Sequence, residues 1–295
     1  MVRNESIDAL KGLLIIFVII GHILLGTLDE NVLRYIIYSF HMPVFMFISG
    51  YLLNYEKISS LTGKGLVIKY WKRMLLPWCL ALIVYSLCCS GMNLTLYSFA
   101  SRFLHPYYHL WYVPTLFVFI VIIWLLSYIK EQMTVFVFLI VIGVIFNNLL
   151  ISINAIKINY LVFFVLGVVT QQAKIKVANL SRGGAFLCVF FISVSLLWAN
   201  SVSMDFYIRY LRLPSMIFVC LLSVLPIIFC DKFKSKILRY LGEHSLDIYL
   251  WHVLPIMLLK YLVTDLTLYY LLTSGLFVVM LASIWIKTKF SQVIK

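Results

Sequence analysis

Ten apolar runs separated by short polar stretches constrain this chain more than any other feature. They fall at roughly residues 11–28, 35–53, 73–90, 110–128, 134–151, 158–171, 184–200, 207–230, 245–263 and 266–286. Most approach the ~20 residues that a helix needs to cross a bilayer. Hydrocarbon offers no hydrogen bonds, so a spanning run must satisfy its backbone internally, and helices do so. The sixth run is short, and little more than Thr264-Asp265 parts the ninth from the tenth. Of the 295 residues, 63% are hydrophobic and 12% charged, which excludes a soluble domain. The expected fold is an all-α integral membrane protein with about ten transmembrane helices, a single polytopic domain over 1–295. The first run lacks a small-residue cleavage site and leads into further runs, so no cleavable signal peptide is expected. No convincing internal repeat is present.

The net charge of +13 at first suggests nucleic acid. The basic residues, however, lie in short loops between apolar runs, which is how membrane topology is encoded, so no nucleic-acid partner is expected. With both termini cytoplasmic, only Arg34, Arg102, Lys157, Arg209, Arg212 and Lys260 fall outside; the other 18 of the 24 Lys and Arg fall inside. This asymmetry sets the expected orientation and an even number of spans. The six cysteines (Cys79, Cys88, Cys89, Cys188, Cys220 and Cys230) lie in apolar runs without C-x-x-C spacing. They read as small packing residues, with neither metal nor disulfide expected.

Two connections are longer. Residues 54–72 form an expected cytoplasmic loop that ends in Lys69-Tyr-Trp-Lys-Arg73. It reads either as a basic anchor with an interfacial Trp71 or as a phosphate-binding cluster at a helix start, where free N–H groups attract anions. Residues 91–109 fall outside. Leu96, Phe99 and Phe103 recur there at helical spacing, consistent with a short interfacial helix, and Asn93-Leu-Thr95 fits a glycosylation sequon.

Ionisable residues within the apolar runs carry the chemistry, because charge at that depth is costly. Asp8 and Lys11 stand where the first run enters the bilayer, and His22 lies well inside it. Lys11 and His22 are eleven residues apart, about 1100° on a helix, so they share a face at about 16 Å separation. Asp8 is spaced to pair with Lys11. His41, in the second run, matches the depth of His22, so the two can meet across adjacent helices. His252 lies about seven residues into the ninth run. Each of the three admits a neutral imidazole bonded to a carbonyl. Three together, with Asp8, Lys11, Arg73, Glu243 and Asp247 at one set of entries, favour a lined cavity. His105 and His109 read as interfacial or solvated, and His244 as cap-like. No G-x-S-x-G is present, and neither paired carboxylates nor H-E-x-x-H suggests a metal.

Several stretches resemble the membrane acyltransferase family 3. Ser6-Ile-Asp8-Ala-Leu-Lys11-Gly-Leu…Gly21-His22 is similar to its opening motif. Phe40-His41-Met-Pro43-Val-Phe-Met-Phe-Ile-Ser49-Gly50-Tyr51 resembles its second-helix signature, closest to the branch of fucose 4-O-acetylases and polysaccharide O-acetyltransferases. Lys72-Arg73-Met-Leu-Leu-Pro77-Trp, His109-Leu-Trp-Tyr-Val-Pro114 and Leu241-Gly-Glu-His-Ser245-Leu-Asp-Ile-Tyr249-Leu-Trp-His252 resemble later segments. The ordered set spans the whole chain. Two departures stand out. Lys11 replaces the Arg of many members, and a Ser-x-x-x-Glu element of other branches is absent from Trp111-Tyr-Val-Pro-Thr115.

The resemblance implies a multi-pass protein of the bacterial inner membrane that moves an acetyl group from acetyl-CoA to a sugar hydroxyl of an envelope or exported polysaccharide, or of a lipid-linked saccharide. Acetyl-CoA would be the acyl-donor substrate, with no resident cofactor. The chain would act alone or with envelope polysaccharide machinery. The expected catalytic residues are His22, as general base or acyl-accepting nucleophile, and His41. Lys11, Lys69, Lys72 and Arg73 would hold the CoA phosphates, with Asp8 serving the donor site by pairing with Lys11 and fixing its direction, and His252 would position the donor or relay a proton. Tyr107, Tyr108, His109 and Trp111 would face the incoming sugar or form an interfacial belt. A carrier or flippase for lipid-linked saccharides is the alternative class, and a sensory or scaffold protein a further one.

Overall fold

The computed structural model describes residues 4–90, 95–150, 156–173, 180–230 and 233–293. Arg3, Asn93, Lys174, Lys176, Lys232 and Lys295, which entered the charge and sequon readings, lie outside them. The fold is all-α, and each of the ten apolar runs is helical. The helices are α1 (Glu5–Ile23), α2 (Val32–Tyr51), α3 (Gly63–Cys89), α4 (Leu96–Leu104), α5 (Tyr112–Leu126), α6 (Gln132–Asn148) and α7 (Ile158–Gln172). There follow α8 (Leu180–Ala199), α9 (Met204–Phe229), α10 (Lys236–Glu243), α11 (Ser245–Trp251), α12 (Val253–Leu262) and α13 (Leu266–Val293). Four of them, α1, α2, α3 and α9, are long and apolar enough to cross a membrane.

Helix α1 is the axis of the molecule. Asn4 caps it by accepting from the Ile7 N–H, and its amide donates to the Ile228 carbonyl at the end of α9. Glu5 pairs with Arg239 of α10 at 2.6 Å. Two close crossings fix the helices around it. Added Cβ atoms at Gly12 and Gly242 would collide with the Leu238 and Asp8 carbonyls, so glycine is what lets α1 and α10 touch backbone to backbone. Gly50 and Gly167 do the same for α2 against α7, facing the Phe164 and Phe47 carbonyls. Between lipid-embedded helices such small-residue contacts replace the hydrophobic effect as the packing force. Gly12, Gly50 and Gly242 all belong to the quoted motifs.

Residues 54–72 are not a loop. Tyr55–Ser59 is helical, and Gly63 opens a helix that continues through a π-turn at Trp71–Leu75 into the apolar run. The basic cluster therefore sits in mid-helix. Its N–H groups are spent on the helix, so the anion-binding helix start expected there does not exist. Trp71, Lys72 and Arg73 are exposed. The short helix expected in 91–109 is present as α4, opened by a reciprocal capping box between Thr95 and Ser98. Cys79, Cys88, Cys89, Cys188 and Cys220 are free.

Candidate active site

Two cavities are stacked along α1 and α2. One, of about 460 Å³, lies at the Lys11 end, between Ile15 of α1 and the Phe45–Leu53 part of α2. The other, of about 870 Å³, lies at the opposite end and is reached by Val18 and His22 of α1 and by Arg34, Tyr38 and His41 of α2. Met42 and Tyr249 line both and form their common wall.

The Lys11-side cavity mixes charges. Lys11 Nζ donates to Asp8 Oδ1 at 3.0 Å, the pairing expected from their spacing. Arg73, Glu243 and Asp247 also line it, as does His244. His244 makes no side-chain cap; its ring lies 4.0 Å from Asp247 and against Tyr240. Of the cations expected to hold a phosphorylated donor, Lys11 and Arg73 reach this cavity, while Lys69 and Lys72 are not in its lining.

At the floor of the His22-side cavity His22 and His109 meet, with His252 packed behind them. Ring centroids lie 5.2 Å apart for His22–His252, 4.8 Å for His109–His252 and 5.7 Å for His22–His109. His22 is half-buried and reachable from the cavity, whereas His109 and His252 are only 4% and 2% exposed. His41 joins through Tyr38, whose ring lies 6.3 Å from His22 and 5.1 Å from His41. The closest partner of His22 is thus His252 rather than the depth-matched His41.

His109 corrects the reading of a solvated loop histidine. A tight turn delivers it inward. Tyr107 accepts from the Leu110 N–H, and Tyr108 adopts φ 43°, a left-handed conformation that costs a non-glycine residue about 1–2 kcal/mol. That turn leaves Tyr108 exposed and folds His109 beneath it. Trp78 of α3 pins the turn by donating its indole N–H to the Leu110 carbonyl at 2.8 Å. Sequence had one signal for this, the motif beginning at His109; hydropathy alone places it in a loop.

Local backbone chemistry sets the tautomers. His252 Nδ1 lies 3.0 and 2.9 Å from the Ile248 and Tyr249 carbonyls, which only accept, so Nδ1 carries the proton. In the neutral ring Nε2 then holds the lone pair, and it is buried without a hydrogen-bond partner. The ninth run breaks at this point into α11 and α12, with His252 at the break and Pro255 just beyond, where no N–H is available to carry the helix on. His41 Nδ1 likewise donates to the Ile37 carbonyl at 2.5 Å. The Tyr249 and Leu250 carbonyls lie near the His109 ring, but both its nitrogens fall outside hydrogen-bond geometry. Among the described residues no group of three His, Cys, Asp or Glu is arranged as metal ligands.

The common wall carries its own network. Tyr112 Oη and Ser49 Oγ are hydrogen-bonded at 2.8 Å, and the Tyr112 ring packs on Tyr249. Tyr249 in turn meets the edge of His109. Around the His22-side cavity Trp111 stacks on Tyr160 at 5.2 Å and 20°, while Tyr107, expected there, instead stacks on Tyr85. Ser49, Tyr112 and Tyr249 were not singled out from sequence for this contact. Each lies in a quoted motif, but nothing in the spacing says that they touch.

A family model described as an acyltransferase domain matches residues 4–288. Nodulation protein NolL of Sinorhizobium fredii (strain NBRC 101917 / NGR234) is 30% identical over 125 residues, which is 38% of this chain. The chain thereby spans 34% of that relative's length. No solved structure matches.

Proposed function

The chain belongs to the acyltransferase family whose model covers it, and from that membership we propose that it transfers an acetyl or other short acyl group from acetyl-CoA to a sugar hydroxyl of an envelope or exported polysaccharide. The observation that carries this reading is the stacking of two cavities against one wall, with three imidazoles on one side of it. Donor and acceptor would enter from opposite ends and meet at Tyr249 and Met42.

In this reading the Lys11 end faces the cytosol, as the distribution of Lys and Arg favours. Acetyl-CoA enters there, its phosphates on Arg73 and Lys11, and its pantetheine arm follows the ~16 Å from Lys11 towards His22. The acceptor enters the His22-side cavity, with Trp111 and Tyr160 as a stacking wall for a sugar face. His22 takes the proton of the acceptor hydroxyl as its oxygen attacks the thioester carbonyl. The tetrahedral intermediate collapses, the carbon–sulfur bond breaks, and the imidazolium returns the proton to the departing thiolate. His252, fixed with Nδ1–H on backbone carbonyls, has its Nε2 lone pair free, and it would orient the base by accepting from a neighbouring imidazole N–H once the rings turn to meet. His41 acts at one remove, through Tyr38. Tyr249, beside the meeting point, limits the access of water to the thioester. The setting would be a bacterial inner membrane.

Inverted membrane vesicles with wild type or His22→Ala at matched levels, given labelled acetyl-CoA and host glycan, test this. Label should enter glycan or lipid-linked material with wild type and be lost with the variant. Equal labelling would remove His22 from the chemistry. Label on a non-glycan product would replace the acceptor class.

A further inference from the structure

The Lys and Arg distribution leaves six cations at the His22 end, and four of the six gather at one cavity. Arg34, Lys157 and Lys260 all line the His22-side cavity, and among the described residues no Asp or Glu lines it. A fourth, Arg212, lies directly behind the cavity wall. It is 1% exposed, its guanidinium stands 4.8 Å from the Tyr160 ring and over Phe163, and its hydrogen-bond partners, Asn147 Oδ1 and the Tyr160 side chain, are neutral groups. A buried cation without a carboxylate is costly, so its retention beside the wall needs a compensating charge or dipole.

Of the four acids at this end, Asp205 is exposed and outside the cavity lining, and the other three are committed elsewhere. Asp29 Oδ1 accepts from the Met204 N–H at 3.0 Å and Asp265 Oδ1 from the Leu268 N–H at 2.7 Å. Glu30 accepts from the Thr27 N–H, which holds its carboxyl below the usual range, so it stays ionised in its own turn. Among the described residues no ion pair joins any of these acids to Arg34, Lys157 or Lys260. The cavity cations are instead partly unanswered. Arg34 donates from Nη1 to the Gly26 carbonyl, but its Nε is buried with no partner. Lys260 Nζ donates to the backbone carbonyl of His22 at 2.9 Å, which leaves two of its protons free and ties a cation to the residue at the floor.

We infer that the acceptor is anionic: a sugar bearing a carboxylate, or a saccharide presented on a lipid phosphate, is held by Arg34, Lys157 and Lys260 while its hydroxyl reaches His22. This rests on the acceptor entering the His22-side cavity. A neutral glycan would need hydrogen bonds and stacking faces, which Asn159, Trp111 and Tyr160 supply, but it would leave three cations unmatched. An anion satisfies both sets.

Binding to the purified protein in detergent tests this apart from catalysis. The probes are a uronic-acid trisaccharide, the same trisaccharide reduced at its carboxyls, and a short-chain polyprenyl diphosphate. An acidic probe should bind about tenfold or more tighter than the neutral one, as a charged hydrogen bond would give. Lys157→Gln and, separately, Lys260→Gln should close most of that gap, while Lys130→Gln, exposed and outside the cavity, should leave it. Whether the uronate or the diphosphate shows the larger gap assigns the charge to sugar or to lipid. Equal binding of acidic and neutral trisaccharides, with no preference for the diphosphate, overturns the inference. So does a gap that survives both Lys157→Gln and Lys260→Gln. Competitive displacement of the acidic probe by acetyl-CoA also overturns it, because the cations would then serve the donor. Acid-selective binding without transfer from acetyl-CoA would leave the inference standing and strike the donor. Transfer to neutral sugars with no acid-selective binding would do the reverse.

Discussion

The two cavities share walls on α1, α2 and α11 and differ in how they treat charge. At the Lys11 end cations stand beside acids: Lys11 bonds Asp8, and Glu243 and Asp247 share the lining with Arg73. At the His22 end the lining holds cations, imidazoles and aromatic rings, with no acid among the described residues. A balanced cavity can hold a mobile substrate whose charges are partly met by water at its mouth. An unbalanced one raises the local potential and selects by sign. The separation between them is one layer of side chains, Met42 and Tyr249, so the difference is kept up over a short distance at low dielectric, where it matters most.

The most damaging change should be one that removes the frame common to both. Gly242→Leu drives a side chain into the Asp8 carbonyl and separates α10 from α1. The expected result is loss of folded protein, read as absence of a monodisperse peak after detergent extraction, whereas Gly275→Ala, which meets open space, should extract normally.

Next in size are changes at the imidazoles, which ask whether the chemistry belongs to the His22 side. His252→Ala should lower the transfer rate by about 10²-fold, and His41→Ala by about tenfold or less, because Tyr38 lies between His41 and the base. Comparable losses would undo the ranking. The rate should also fall as pH drops, since a protonated imidazole cannot accept the hydroxyl proton, and residual activity in His22→Ala should lose that acid limb.

Lys11→Gln tests the donor side. It should raise the KM for acetyl-CoA about tenfold with the acceptor KM unchanged, consistent with one charge-assisted contact. A rise in the acceptor KM instead would exchange the roles of the two cavities. Smallest in rate, but most direct for the partition, is Tyr249→Ala. Opening the wall should admit water and raise acetyl-CoA hydrolysis without acceptor about threefold to tenfold, while Tyr249→Phe, which keeps the ring, should not.

Much of the fold was readable before any coordinates. Apolar run lengths predicted helices, and ten helical runs are found; the spacing of Asp8 and Lys11 predicted their ion pair, which forms. The reading failed where local pattern misleads. Lys69 to Arg73 looked like a loop ending because polar residues interrupt the apolar run, but a π-turn carries the helix through them. His109 looked solvated because it follows His105-Pro-Tyr-Tyr108, and only the left-handed Tyr108 turns it inward. His22 and His41 line the same cavity, yet Tyr38 rather than His41 lies against His22, because a match along two helices does not choose neighbours around them.

What the sequence determined by itself is therefore what periodicity and composition control: membrane helices, the shared face of Lys11 and His22, and a set of motifs specific enough to suggest the family. What only the tertiary structure decided is which faces meet. Three histidines from positions 22, 109 and 252 converge because glycine crossings and a strained turn set the helix distances and angles. The same packing gathers Arg34, Lys157 and Lys260 into one cavity. Helical period fixes where a side chain points on its own helix, but azimuth between helices is set by contacts far apart in sequence.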